Sequence, residues 1–213
     1  MANRREFLQI GIAASALSSS LPMAAQVSKG SASEQFVPFY KAVFDLRYAD
    51  SIKFSQQMAK QQIAVHGING DITPFWFNEL DALWRQERVA VAGLTAHGPL
   101  FCLERLAWER NMRVVYRAEH KLQAGGIIEH QLSGPQTMLD KSVAGSLSLT
   151  GLDNNWSTGL ANLMLECPLG HAELSKVNVM APVTRSEEEV GEVDAYADPL
   201  ISWIIAPAQK VSV

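Results

Sequence analysis

Between residues 39 and 117 short apolar segments alternate with helical patterns, and the links between them are only a few residues long. That alternation admits few folds. A strand followed at once by a helix and another strand builds right-handed crossover units on one sheet. Residues 39–46, 62–67, 88–94 and 112–117 are the strand segments, and 88–94 is a continuous apolar run of the kind buried in a parallel sheet. Helical spacing over 51–60 brings Ile52, Phe54, Met58 and Ala59 near one face, with Asp50 at the cap. Pro74 suits the first helical position of the next helix, which runs through 75–84. His97-Gly98-Pro99 opens the third, an apolar helix over 100–109.

After Arg117 the pattern changes. Residues 118–123, the turn Ala124-Gly125-Gly126 and residues 127–132 read as a hairpin that extends the fourth strand. Residues 146–150 read as a short strand and 156–165 as a helix weakened by Gly159. Glu187-Glu188-Glu189 lies in a polar stretch, 184–198, read as a solvated loop, and 200–205 is a final buried strand. The expected fold is therefore α/β: a mostly parallel sheet with flanking helices in βαβαβαβ order, plus a C-terminal hairpin and a final buried strand. Residues 38–213 are expected to form a single domain, which 213 residues can supply without metal or disulfide.

Composition bounds the partners. With 18 basic and 22 acidic residues the chain is mildly acidic, and no Lys/Arg run after Arg5 exceeds two residues. Nucleic-acid binding, which needs a basic face, is not expected. Cys102 and Cys167 stand too far apart for a zinc ribbon or a thioredoxin-type pair. Both lie in apolar stretches, so two inert thiols are expected rather than a disulfide.

The opening reads Met1-Ala2-Asn3-Arg4-Arg5-Glu6-Phe7-Leu8, then a modest apolar run, Ile10 to Leu17, and a small-residue exit. This is the anatomy of a secretory signal. Paired arginines followed by Phe-Leu resemble the twin-arginine motif, with Asn3 where Ser or Thr is commoner. The resemblance covers about nine residues. It implies export of a folded chain to the periplasm, with Arg4 and Arg5 engaging the export machinery. Residues 1–25 are then the signal peptide and 26–37 a flexible tether. Cutting after Ala25 puts the large Met23 three positions back, and Gly30-Ser31-Ala32 offers a later site. An uncleaved leader acting as a membrane anchor is the alternative. Carriage in the folded state further implies an inserted cofactor of open identity, a co-exported redox enzyme as partner, or rapid folding.

In open α/β sheets ligands bind beyond the carboxyl ends of the parallel strands. Those ends carry Tyr48 and Asp50, then Asp71, then Thr95, His97 and Gly98, and finally Glu119 and His120. Tyr48, Asp50, Asp71, Thr95 and Gly98 are the candidate ligand contacts. Asp50, Asp71 and Thr95 are more readily explained as helix caps. His97 and His120 are candidate general bases, with Glu119 as a catalytic carboxylate. If the hairpin turns about Gly125, His120 and His130 stand opposite each other and could share a metal. His66 and His171 read as structural. Phe75, Trp76 and Phe77 cannot all face one core, so one is expected at a pocket or an interface. No nucleophile elbow, phosphate loop, zinc-protease or haem motif is present. Two readings stay open: a ligand-binding or accessory protein for a cofactor-containing exported enzyme, and a small enzyme with a His/carboxylate site.

Overall fold

The computed structural model describes residues 36–123, 127–143, 155–168, 173–182 and 199–208. The signal peptide, most of the tether, the Gly125 turn, the 146–150 strand, His171 and the Glu187–Glu189 loop lie outside the described residues. The elements are β1 (Phe39–Asp45), α1 (Ala49–Lys60), β2 (Ala64–Ile68), α2 (Thr73–Phe75), a π-helical turn (Trp76–Leu80), α3 (Asp81–Gln86), β3 (Ala90–Thr95), α4 (His97–Glu109), β4 (Met112–Gln123), β5 (Ile127–Pro135), α5 (Gln136–Val143), α6 (Trp156–Leu165), β6 (Leu174–Pro182) and β7 (Leu200–Pro207).

All seven strands join one sheet in the order β2-β1-β3-β7-β4-β5-β6. β1 is parallel to β2 and β3. Every other neighbouring pair is antiparallel. The α/β class is therefore correct, but the sheet is mixed rather than mostly parallel. β4 points the same way as β3, and β7 lies between them, antiparallel to both.

The reason for the difference lies in β7 itself. Leu200-Ile201-Ser202-Trp203-Ile204-Ile205 is apolar on both faces apart from Ser202, and all six residues are buried. A strand of that composition is stable only where both faces are covered, which is the middle of the sheet. β3, buried along its whole length, is its counterpart. At the far side β5 alternates between buried and exposed positions, as a strand covered on one face does. β6 and α5 extend this half and have no counterpart in the sequence reading.

Two cores flank the sheet. One joins Phe54 and Met58 of α1, Met138 and Leu139 of α5 and Leu160, Leu163 and Met164 of α6 to Ala92, Leu94, Tyr116, Ala118 and Ile204. The other joins Phe75, Trp76, Leu80 and Trp84 of residues 73–86 and Leu100 and Leu103 of α4 to Val43, Val91, Ile201, Trp203 and Ile205. Phe77 is the outward aromatic of the Phe75–Phe77 run, 71% exposed.

Gly93 is where the second core is tightest. A Cβ there would collide with the six-membered ring of Trp203 on the neighbouring strand, so only hydrogen lets the indole lie across β3. The indole N–H then reaches Thr95 Oγ1 at 3.1 Å. Gly98, in the first turn of α4, has nothing within 4 Å of a Cβ position. Gly93→Ala should therefore cost at least about 3 kcal/mol by overpacking. Gly98→Ala should be neutral or stabilise by up to about 1 kcal/mol. Urea denaturation of the two variants checks the pair. Equal midpoints would mean that the indole does not occupy the Gly93 notch.

Candidate functional site

Alternation along β4, β5 and β7 sends Tyr116, Ala118 and His120, Ile128, His130 and Leu132, and Leu200, Ser202 and Ile204 to one face of the sheet. The register then fixes who meets whom. His120 lies opposite His130 on one side and Leu200 on the other, and Val179 follows His130. Ser202 is opposite Ala118, one step along the same face. The β4–β5 register is thus the predicted one, and it brings the two histidines together.

They form a hydrogen-bonded chain. His120 Nδ1 lies 2.6 Å from His130 Nδ1, and His120 Nε2 lies 2.7 Å from Ser202 Oγ. Both histidines and Ser202 are completely buried. Trp156 covers them, its ring centre 4.6 Å from that of His120 and 5.3 Å from that of His130. Asn155 places that indole. Its side chain caps α6 by accepting the Ser157 N–H at 3.0 Å, so the helix starts with Trp156 over the imidazoles. Gly134 leaves room for Tyr116, since a Cβ there would stand 2.8 Å from the Tyr116 ring.

Among the described residues, three buried side-chain atoms have no hydrogen-bond partner: Tyr116 Oη, His130 Nε2 and Trp156 Nε1. All three belong to this site. Burial pushes the Tyr116 phenol well up, with Ser202 opposing; the Ser202 hydroxyl faces the phenol without closing a hydrogen bond. Cys167, also buried, has its thiol pushed up to about 12 by desolvation. Burial, reinforced by His130, drives His120 well below the ordinary histidine range, and burial alone brings His130 down to about 4. The pair is neutral at pH 7.

Two imidazoles binding one tetrahedral metal ion would hold their nitrogens about 3.3 Å apart, given metal–nitrogen bonds of about 2.05 Å. At 2.6 Å these two share a proton instead. Among the described residues no group of three or more His, Cys, Asp or Glu could hold a metal.

The other predicted residues are dispersed. Glu119 is exposed and points to the opposite face of β4 from His120. His97 is exposed in the first turn of α4, stacked on Phe101 with 6.1 Å between ring centres. Gly98 is exposed beside it. Tyr48 is the N-cap position of α1, beneath the Arg47 guanidinium, and Asp50 lies in that helix's first turn. Asp71 stands one residue before the N-cap position, Ile72, and accepts the Thr73 N–H at 2.8 Å. Thr95 is no cap: it is buried and takes the Trp203 indole. Both cysteines are free, but Cys102 is exposed rather than buried.

Two further polar groups involve none of the candidate site residues. At the end of β1 the buried Asp45 carboxylate holds Arg47 through two bonds of 2.9 and 2.7 Å, and Gly70, at φ +78°, packs against that guanidinium. At the start of β1 a bulge between Phe39 and Lys41 lets Tyr40 and Lys41 share Glu79 of the π-turn. Burial works against both ions, yet the bonds from Lys41 and Tyr40 keep Glu79 below the usual carboxylate range and raise Lys41. His66 stacks on Phe75 nearby, 4.3 Å between ring centres.

Comparison with known proteins gives no match: no family model, no curated protein and no solved structure is similar to this chain.

The neutral pair makes stability depend on pH. Each histidine is protonated below about 6.5 when unfolded, whereas the folded state refuses the proton until about pH 4 in the case of His130. The unfolded chain binds more protons in that window, so stability is full above pH 6.5 and falls by about 1.4 kcal/mol per unit per histidine on acidification. Urea denaturation between pH 7.5 and 4.5 should show this, and His130→Gln should lose one histidine's share of the slope. Identical slopes in the two proteins would mean that His130 is not held neutral.

Proposed function

We propose that this protein is exported by the twin-arginine route and binds a small polar ligand between the first turn of α6 and the β4–β5–β7 face. It serves there as a ligand-binding or accessory protein for a cofactor-containing enzyme exported with it. One observation carries the binding reading: Tyr116 Oη, His130 Nε2 and Trp156 Nε1 are buried without partners around one neutral histidine pair. Each such atom costs roughly 1–3 kcal/mol, and folded proteins leave few of them. Three in one place are supported best by a ligand that supplies the missing partners. The periplasmic placement rests on Arg4, Arg5 and the segment after them. Among the described residues no helix is long and apolar enough to cross a membrane.

A second reading has its own observation. Ser202 Oγ, His120 and His130 stand as nucleophile, base and orienting group do in hydrolases, joined through opposite nitrogens of His120. Ser202 is completely buried, which disfavours attack on any substrate larger than the ligand proposed. Of the earlier catalytic candidates only His120 belongs to this chain.

The test is a native mass spectrum of protein recovered from the periplasm of cells expressing it with its own leader. A processed chain carrying a small non-covalent adduct is expected, and Trp156→Phe should reduce its occupancy. Arg4→Lys with Arg5→Lys should strand the chain in the cytoplasm. Export undiminished in that double variant would sink the twin-arginine assignment. A bare chain at every concentration would sink the ligand. Labelling of Ser202 by a fluorophosphonate would favour the hydrolase instead.

A further inference from the structure

The three unpartnered atoms differ in what they can offer, and the difference bears on the ligand's charge. Trp156 Nε1 only donates, Tyr116 Oη donates or accepts, and the role of His130 Nε2 is set by its other nitrogen. In the neutral pair one proton lies between the two Nδ1 atoms. If it belongs to His130, then His120 Nε2–H donates to Ser202 and His130 Nε2 is an acceptor. If it belongs to His120, then Ser202 donates to His120 Nε2 and His130 Nε2–H is a donor.

One more proton suits the same geometry without moving an atom. With His120 protonated at both nitrogens, Nδ1–H donates to His130 Nδ1 and Nε2–H donates to Ser202 Oγ. His130 must then carry its proton on Nε2, the Ser202 hydroxyl keeps its proton and turns it away from His120, and the Tyr116 phenol is free to donate. Every unpartnered atom becomes a donor. Three donors around a site want negative charge.

Resting on the ligand-binding reading above, we propose that the site takes a small anion together with one proton, which lodges on the His120–His130 pair. Either ion alone would be costly in a sealed site, and together they compensate. Among the described residues no charged side chain acts on the pair, which feels only burial and, for His120, the partner imidazole. On the face of β4 that carries His120 the other titratable groups are Tyr116 and, at the far end opposite Ala206, the exposed Arg113, and His130 is alone on its face of β5. β7 offers Ser202, α6 has no ionisable residue, and β6 turns Val177, Val179 and Ala181 inward. Cys167, facing Tyr116, stays a thiol. Glu119 and Glu129 point to the other face of the sheet. The proton comes from solvent, one N–H bond forms, and no other bond changes.

Isothermal titration of the folded chain with nitrate, formate and the neutral analogue formamide tests this. In buffers of different ionisation enthalpy at pH 7, nitrate and formate should bind with uptake of close to one proton. Their affinity should rise about tenfold from pH 7.5 to 6.5. Formamide should bind more weakly and take up no proton. Trp156→Phe, which keeps the ring and loses the donor, should weaken nitrate about tenfold with the proton count unchanged. His130→Gln should abolish the uptake, and imidazole ¹⁵N shifts of the wild type should report the added proton directly. Anions that bind without uptake, or formamide binding where nitrate and formate do not, would overturn the anion inference and leave ligand binding standing. No titration with any probe overturns it too. In that case an adduct in the native spectrum keeps the ligand-binding reading, and a bare chain removes both.

Discussion

Trp203 lying across Gly93 joins the two halves of this sheet. On one side stand the parallel strands β1, β2 and β3, and on the other the antiparallel run β4, β5 and β6. β7 is the sole connection between them in the hydrogen-bonded sheet, paired to β3 over Val91–Thr95 and to β4 over Met112–His120. An indole stacked on a glycine, with its N–H tied to Thr95, locks that connection in one register. A slip of one residue would turn Trp203 into the opposite core and Ser202 away from His120. The polar chain therefore depends on an apolar contact on the other face of the same strand.

That chain is costly to keep. Two imidazoles and a serine hydroxyl occupy positions that aliphatic residues would fill with more stability and no pH sensitivity. Their neighbours on the rung, Leu200 and Val179, show what such positions otherwise hold. The groups are not strays at the margin of a loop either. They stand on three adjacent strands and one capped helix, the most rigid supports the fold has, and rigid support is what a binding site requires. The Arg110–Asp81 salt bridge, at 2.5 Å, sits by contrast at half-buried positions where solvent screens it.

What could be read from the sequence was what depends on local pattern. Strand and helix segments up to residue 117 follow from periodicity and from the short links, but the sheet they were expected to build does not, since β7 stands between β3 and β4. The His120–His130 pairing followed from counting outward from Gly125, because a hairpin's register is a local property. What could not be read depends on partners remote in the chain. Nothing in 200–205 says that the strand enters between β3 and β4; its two-sided apolar character pointed only to burial. Tyr116, Ser202 and Trp156 carry no motif, and they enter the site through pairings 82 residues apart in the case of His120 with Ser202. The Tyr40–Lys41–Glu79 group was hidden by a bulge and a π-turn, each of which breaks the very periodicity used to read the rest. Thr95 was misread as a cap because its proper partner, the Trp203 indole, lies 108 residues on.

The same topology bears on when the site can exist. β3 and β4 cannot complete their hydrogen bonding until residues 200–207 have arrived between them, so half of the sheet's centre is formed by contacts of long sequence separation. Such contacts close late, after local helices and hairpins have formed, because the loop entropy must be met first. Without β7 the β4–β5 hairpin would hold His120 and His130 on a face that lacks Ser202 and part of its cover. Insertion does three things at once: it seals the face, supplies the serine and drives the imidazoles to the neutral form. A site assembled by the same step that completes the core is either wholly present or absent. That all-or-none character is what a route reserved for folded cargo would deliver intact, which gives the export proposed for this chain a physical counterpart in the architecture of its sheet.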